Sequence, residues 1–184
     1  FISYPSYDPN LLAGRKKNIN YPILEKDPFK PLFSRPLMAK YPPGSIFKPA
    51  QALIALQLGV IKPTTLFSCD KSLVNCHPHP SPQDVRGSLQ WSCNPYYFMV
   101  FKKIINQEKS TNKYKDTELG FDEWRKHITA MGFGQRLEID LPNASQGNIP
   151  SNKYYDKIYG DMAWKFSTIY SLSIGQGEVN ITPL

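Results

Sequence analysis

No apolar run in this sequence is long enough to cross a bilayer. The longest uninterrupted aliphatic stretch, Ala52 to Leu56, falls far short of the ~20 residues that a spanning helix needs. The first residues also lack the basic, apolar, small-residue order of a secretory leader. Clustered charge is scarce. Lysine and arginine outnumber aspartate and glutamate by 22 to 15, for a formal charge of +7. Apart from Arg15-Lys16-Lys17 and Lys102-Lys103, however, the basic residues are dispersed, and no nucleic-acid motif or regular aromatic interleaving accompanies them. No nucleic-acid partner is expected; the basic balance reads as a solvated face, suited to work beside anionic polymer or lipid. Cysteine is confined to Cys69, Cys76 and Cys93, with a spacing that fits no standard zinc finger. At 184 residues, 41% hydrophobic and 13% aromatic, the chain has the composition of one ordinary folded domain.

The most informative stretch is Tyr41-Pro42-Pro43-Gly44-Ser45-Ile46-Phe47-Lys48-Pro49, followed at once by the apolar run from Ala50 to Leu58 and then Gly59. Pro42, Pro43 and Gly44 cannot continue a preceding helix, so the pattern predicts a helix from Ser45 that Gly59 ends. Ser45 and Lys48 are then i and i+3, with hydroxyl and amine on one face. A serine hydroxyl is a weak nucleophile until a base takes its proton, and a lysine can be that base when burial keeps it neutral. A helix apolar nearly all round is a buried one, which would set the pair at the floor of a cleft. Pro49 falls in the first turn, where few hydrogen bonds exist to lose. By itself Ser-x-x-Lys is a weak signal.

A second stretch, Trp91-Ser92-Cys93-Asn94-Pro95, places a hydroxyl and a carboxamide two residues apart before an amphipathic run to Gln107, giving the order Ser-x-x-Lys then Ser-x-Asn. In this combination the sequence resembles the penicillin-binding proteins, and most closely the monofunctional, elongation-type (class B) peptidoglycan transpeptidases. The likeness extends to Tyr4-Pro5-Ser6-Tyr7-Asp8-Pro9-Asn10, Gly132-Phe133-Gly134, Ile139-Asp140-Leu141-Pro142, Ser173-Ile174-Gly175-Gln176-Gly177-Glu178 and Thr182-Pro183-Leu184. Two departures stand out. Ser34 precedes Arg35 where the family often has Asn-Arg, and Gln135-Arg136-Leu137-Glu138 replaces the usual Thr-Gly pattern before Ile139.

The resemblance implies an α+β fold, here a helix-rich portion of the transpeptidase fold with most of the central antiparallel sheet absent, residues 1–184 forming a single partial domain. It implies that Ser45 attacks the D-Ala–D-Ala carbonyl of a peptidoglycan stem peptide with Lys48 as base. Ser92 then passes a proton to the leaving amine while Asn94 hydrogen-bonds the substrate backbone, and a second stem-peptide amine takes the acyl group. No metal or organic cofactor is implied, and β-lactam antibiotics and elongation-complex membrane proteins are implied partners. The family works outside the cytoplasmic membrane on an N-terminal anchor that is not present here, so an excised portion is expected. The family's third motif, Lys-Thr-Gly or Lys-Ser-Gly, occurs nowhere in the sequence. Weak acylation of this chain alone is expected, since the strand after that motif supplies an oxyanion donor. A β-lactam-sensing receptor, a D-Ala–D-Ala carboxypeptidase and a non-catalytic scaffold are the alternatives.

Elsewhere, Phe1 to Ser3 reads as the end of a strand, and residues 15–40, with four prolines, as an irregular connector. Residues 62–90 are turn-rich and hold Cys69, Cys76, His77 and His79. In an oxidising periplasm Cys69 and Cys76 would pair across a short hairpin, a link worth about 2–3 kcal/mol. Zinc held by Cys69, Cys76, His77 and His79, or free thiols, are the other possibilities. Cys93 reads as packing. Glu108 to Gly120 reads as a surface loop, with Asp122 capping a helix that buries Trp124, Ile128 and Met131 and ends at Gly132. Asp161 to Ile174 is apolar enough for a short buried helix or strand.

Overall fold

Residues 3–184 are described by a computed structural model, so of the strand expected at Phe1 to Ser3 the first two residues lie outside the described residues. The helices are α1 (Lys17–Lys26), α2 (Arg35–Met38), α3 (Lys48–Gln57), α4 (Val85–Gln90), α5 (Asn94–Ile105), α6 (Lys113–Ala130), α7 (Asn152–Tyr159) and α8 (Phe166–Ile169). Short 3-10 turns at Gly44–Phe47 and Tyr170–Ile174 complete the part that concerns the site. Strand pairing among the described residues is limited to isolated antiparallel bridges, Tyr41 with Ile181, Phe67 with Gln83 and Asn148 with Asn180. Helix dominates, as expected. No helix is long and apolar enough to cross a membrane among the described residues.

The centre of the molecule is α5. Pro95 sits in its first turn, where no intrahelical donor is lost, and Tyr96, Tyr97, Val100, Phe101, Ile104 and Ile105 are fully buried while Lys102 and Lys103 face water. It packs against α3, α6 and the Tyr170–Ile174 turn. Trp124 of α6 meets Phe101 edge-on at 5.5 Å and stacks on Phe121 at 5.2 Å, while Phe98 meets Phe166 at 5.0 Å. This aromatic core supports the end of α3 that carries the first motif.

Several expectations need correction. The 15–40 stretch is not an irregular connector, since it forms α1 and α2; Pro22 sits inside α1, which buries none of its residues. The nucleophile helix begins as the 3-10 turn and becomes α-helical only at Lys48, and Gly59 follows its end with φ +68°. Residues 62–90 do fold back on themselves, through the Phe67–Gln83 bridge, but end in α4. The helix after Ser-x-Asn stops at Ile105, not Gln107. Glu108 to Gly120 is not a surface loop. Asn112 accepts from the backbone of Tyr114 and Lys115, and α6 runs on through Asp122. Its polar first turns are tolerated because Asp116 accepts from Lys109 N at 2.7 Å and Lys115 pairs with Glu118 at 3.0 Å. Gly120, the last residue of that expected loop, is a contact point inside α6, for a side chain there would collide with the Ile105 carbonyl of α5. Trp124 and Ile128 are buried as expected, whereas Met131 is exposed.

Candidate active site

Ser45 lies in the 3-10 turn between two residues whose surroundings set its position. Gly44, at φ +58°, donates its N–H to the Gly175 carbonyl at 2.8 Å, and Gly175 itself is left-handed at φ +67°. A side chain on Gly175 would run into the Gly44 carbonyl and come within 2.7 Å of Phe47 Cβ, so only glycine permits this approach. Phe47 is fully buried, with Trp124 at 6.4 Å and Phe133 at 5.4 Å, both edge-on. Ser45 is exposed and Ile46 is 75% exposed, so the serine opens on a free face and not at the floor of a cleft.

Lys48 is 1% exposed. Three oxygens replace its water: Nζ donates to the Ser92 carbonyl at 2.6 Å, to Ser92 Oγ at 2.9 Å and to Asn94 Oδ1 at 2.6 Å, with the Tyr97 ring 5.7 Å away. Burial brings its pKa down from the ordinary lysine value to about 8, against the opposing pull of Cys76 and Cys93. The i, i+3 spacing predicts a direct Ser45–Lys48 contact, but the bonded path runs through Ser92, whose Oγ is 2.9 Å from Ser45 Oγ. Ser92 has φ +48°, a conformation that costs a non-glycine residue ~1–3 kcal/mol and that here presents both its hydroxyl and its carbonyl to Lys48. All four candidates therefore converge: Ser45, Ser92, Lys48 and Asn94 form one hydrogen-bonded chain.

Asn94 is oriented from behind. Its Nδ2 donates to the Asn75 carbonyl at 2.8 Å and its backbone N–H to Cys76 Sγ at 3.4 Å. This brings the turn-rich hairpin into the site, a connection that local pattern does not signal. Cys69, Cys76 and Cys93 are free thiols in the structure. Their sulfurs and a ring nitrogen of His79 all lie within 4.8 Å of one another. Cys93 packs in the core as expected, fully buried, and its sulfur also lies in the cluster, while His77 stays outside it. His79 Nδ1 sits 2.7 Å from the Pro80 carbonyl, which can only accept, so the proton is on Nδ1 and Nε2 turns its lone pair to Cys76 at 3.4 Å. Three sulfurs and an imidazole oriented by a carbonyl are a donor set that fits a tetrahedral soft cation such as zinc. Without a metal, burial pushes the Cys93 thiol up to about 12 and raises Cys69 as well, which keeps both protonated.

A buried lysine linked through a second serine to an exposed one, at the edge of a helical lobe, has the form of an active-serine acyl-transfer site. Comparison with known proteins goes further. The penicillin binding protein transpeptidase domain matches residues 1–184, and the chain belongs to that family. Among curated relatives, the peptidoglycan D,D-transpeptidase MrdA of Acinetobacter baumannii is 30% identical over 100% of this chain and 26% of its own length. The peptidoglycan D,D-transpeptidase PbpA of Mycolicibacterium smegmatis is 42% identical over 100% of this chain and 35% of its own. The chain thus spans between a quarter and about a third of these relatives. Among solved structures, Pseudomonas aeruginosa PBP2 in complex with WCK 5153 superposes with a TM-score of 0.75 at 28% identity, covering 99% of this chain and 40% of that one. Helicobacter pylori PBP2 in complex with MreC has the same fold, with a TM-score of 0.78 at 24% identity over 100% of this chain and 33% of that one.

Proposed function

We propose that this chain carries the nucleophile and the first proton path of a peptidoglycan D,D-transpeptidase. One observation supports the reading above the rest, the continuous chain from Ser45 Oγ through Ser92 Oγ to Lys48 Nζ and Asn94 Oδ1. With Lys48 neutral, the Ser45 proton passes to Ser92 as the Ser92 proton passes to Lys48, and Ser45 Oγ attacks the carbonyl of the penultimate D-alanine. Collapse of the tetrahedral intermediate breaks the D-Ala–D-Ala amide bond; the same path returns the proton to the leaving amine and leaves an acyl-serine. A second stem-peptide amine then takes the acyl group. Asn94, fixed by Asn75 and Lys48, retains one amide N–H for the substrate backbone. The acyl transfer needs no cofactor. Stem peptides, β-lactams and membrane proteins of the elongation complex are the partners in this reading, which places the reaction on the outer side of the cytoplasmic membrane.

Labelling with a fluorescent penicillin tests the serine. The full protein that carries this chain should take up one label, and its Ser45→Ala form none; persistent labelling of Ser45→Ala would move the nucleophile elsewhere. Incubation with stem-peptide substrate separates the acceptors, a cross-linked dimer indicating transpeptidation and released D-alanine without dimer indicating a carboxypeptidase.

A further inference from the structure

Gln51 lies in the middle of the apolar run of α3 and is fully buried. A buried carboxamide is tolerated when both of its ends are satisfied, and here each end reaches a different element. Oε1 accepts from Trp124 Nε1 of α6 at 2.8 Å, and Nε2 donates to the Leu172 carbonyl of the Tyr170–Ile174 turn at 3.0 Å. Phe47 and Gln51 are i and i+4, so they share a face of the helix, and both of them touch Trp124. Phe47 meets the ring edge-on and Gln51 takes its N–H. Phe47 stands between Ser45 and Lys48 in the chain, and the Tyr170–Ile174 turn runs directly into Gly175, the partner of Gly44. One amide therefore braces both neighbours of the nucleophile.

The geometry points to Gln51 as a positioning residue for the acyl-transfer step, holding Trp124 and Leu172 so that Phe47 and Gly175 keep Ser45 in line with Ser92 and Lys48. This role rests on the active-serine reading given above. Gln51 touches no reacting atom. It acts through Trp124 on Phe47, and through Leu172 on the Gly44–Gly175 contact. Losing either hydrogen bond leaves a buried donor or acceptor unpaired and frees the indole or the turn to shift. Small displacements of a nucleophile slow chemistry more than they weaken binding.

The experiment follows penicillin labelling of the full protein over time, resolving the acylation rate constant from the dissociation constant of the preceding complex. Trp124→Phe removes the N–H and keeps most of the packing, Gln51→Met removes both bonds at similar length, and Ile128→Ala on α6 serves as a destabilised control. Gln51→Met and Trp124→Phe should each slow acylation about tenfold, with the initial complex changed less than about twofold. Because they share one link, the double variant should be slower than either single by less than the product of the two effects. Ile128→Ala should lower the melting temperature without slowing acylation. Unchanged acylation in Trp124→Phe, an equal slowing in Ile128→Ala, or a loss confined to initial binding would each overturn the positioning role. Should Gln51→Met fail to fold, Trp124→Phe alone decides. If the unaltered protein takes no label, the active-serine reading falls and this role with it; if it does and the variants match it, only this role falls.

Discussion

Ser45 and Lys48 are held from one side by volume: Phe47 between Trp124 and Phe133, a glycine pair in backbone contact, and an apolar helix pressed on α5. Ser92 and Asn94 are held from the other side by polar and sulfur contacts, through the Asn75 carbonyl, Cys76 Sγ and the cluster of Cys69, Cys76, His79 and Cys93. Packing tolerates no change of size and is indifferent to solution chemistry. A sulfur cluster depends on its oxidation state and on available metal. One half of the site should therefore answer to mutation alone, and the other to reagents as well.

The largest effect should come from the packed side. Phe47→Ala empties the space between Trp124 and Phe133 and should cost about 3–5 kcal/mol, read as a fall in melting temperature that no metal or reductant restores. A normal melting temperature would break the comparison from that side. On the sulfur side, the reduced chain should bind one zinc ion, and at a hundredfold excess over its Kd zinc should add about 2.7 kcal/mol of stability. Chelation should reverse the gain, whereas Cys93→Ala should abolish it. Intact-mass analysis after thiol alkylation then separates metal from disulfide: metal-free oxidised chain should block one thiol, and zinc-loaded chain opened by denaturant with chelator should block three. One blocked thiol in both would favour the disulfide and remove the metal reading.

The smallest effect is the pH profile of penicillin labelling. In the proposed mechanism Lys48 takes the proton only when neutral, and its pKa is brought down to about 8, so acylation should rise with pH through that value. The gain from pH 7 to the plateau should be up to about tenfold. A profile flat between pH 7 and 9 would mean that Lys48 is not the base.

What local pattern carries was legible beforehand. Ser45 and Lys48 share a turn because three residues apart on a helix is a fixed geometry, and the buried stripe of α5 follows from helical spacing. The second half of α6, from Asp122 on, was legible too, whereas its first half was hidden because the first turns are polar. Their stability comes from Lys109 N and from the close approach of Gly120 to Ile105, contacts that no short window of sequence contains. The nearness of Cys93 to Cys69 and Cys76 was hidden for a similar reason, since these are neighbours only once the hairpin folds back.

The sequence alone settled the residue types, their order and their local spacing: a serine and a lysine one turn apart, a serine and an asparagine at the start of the next long helix, and a family likeness over the whole chain. Tertiary structure decided how they connect. It routed Ser45 to Lys48 through Ser92, buried the lysine among three oxygens, and joined a hairpin of thiols to Asn94. The reason is range. Helical periodicity acts over a few residues and is written in neighbouring side chains, whereas the Ser92–Ser45 bond spans 47 residues and exists only because α3 and α5 pack at one particular distance.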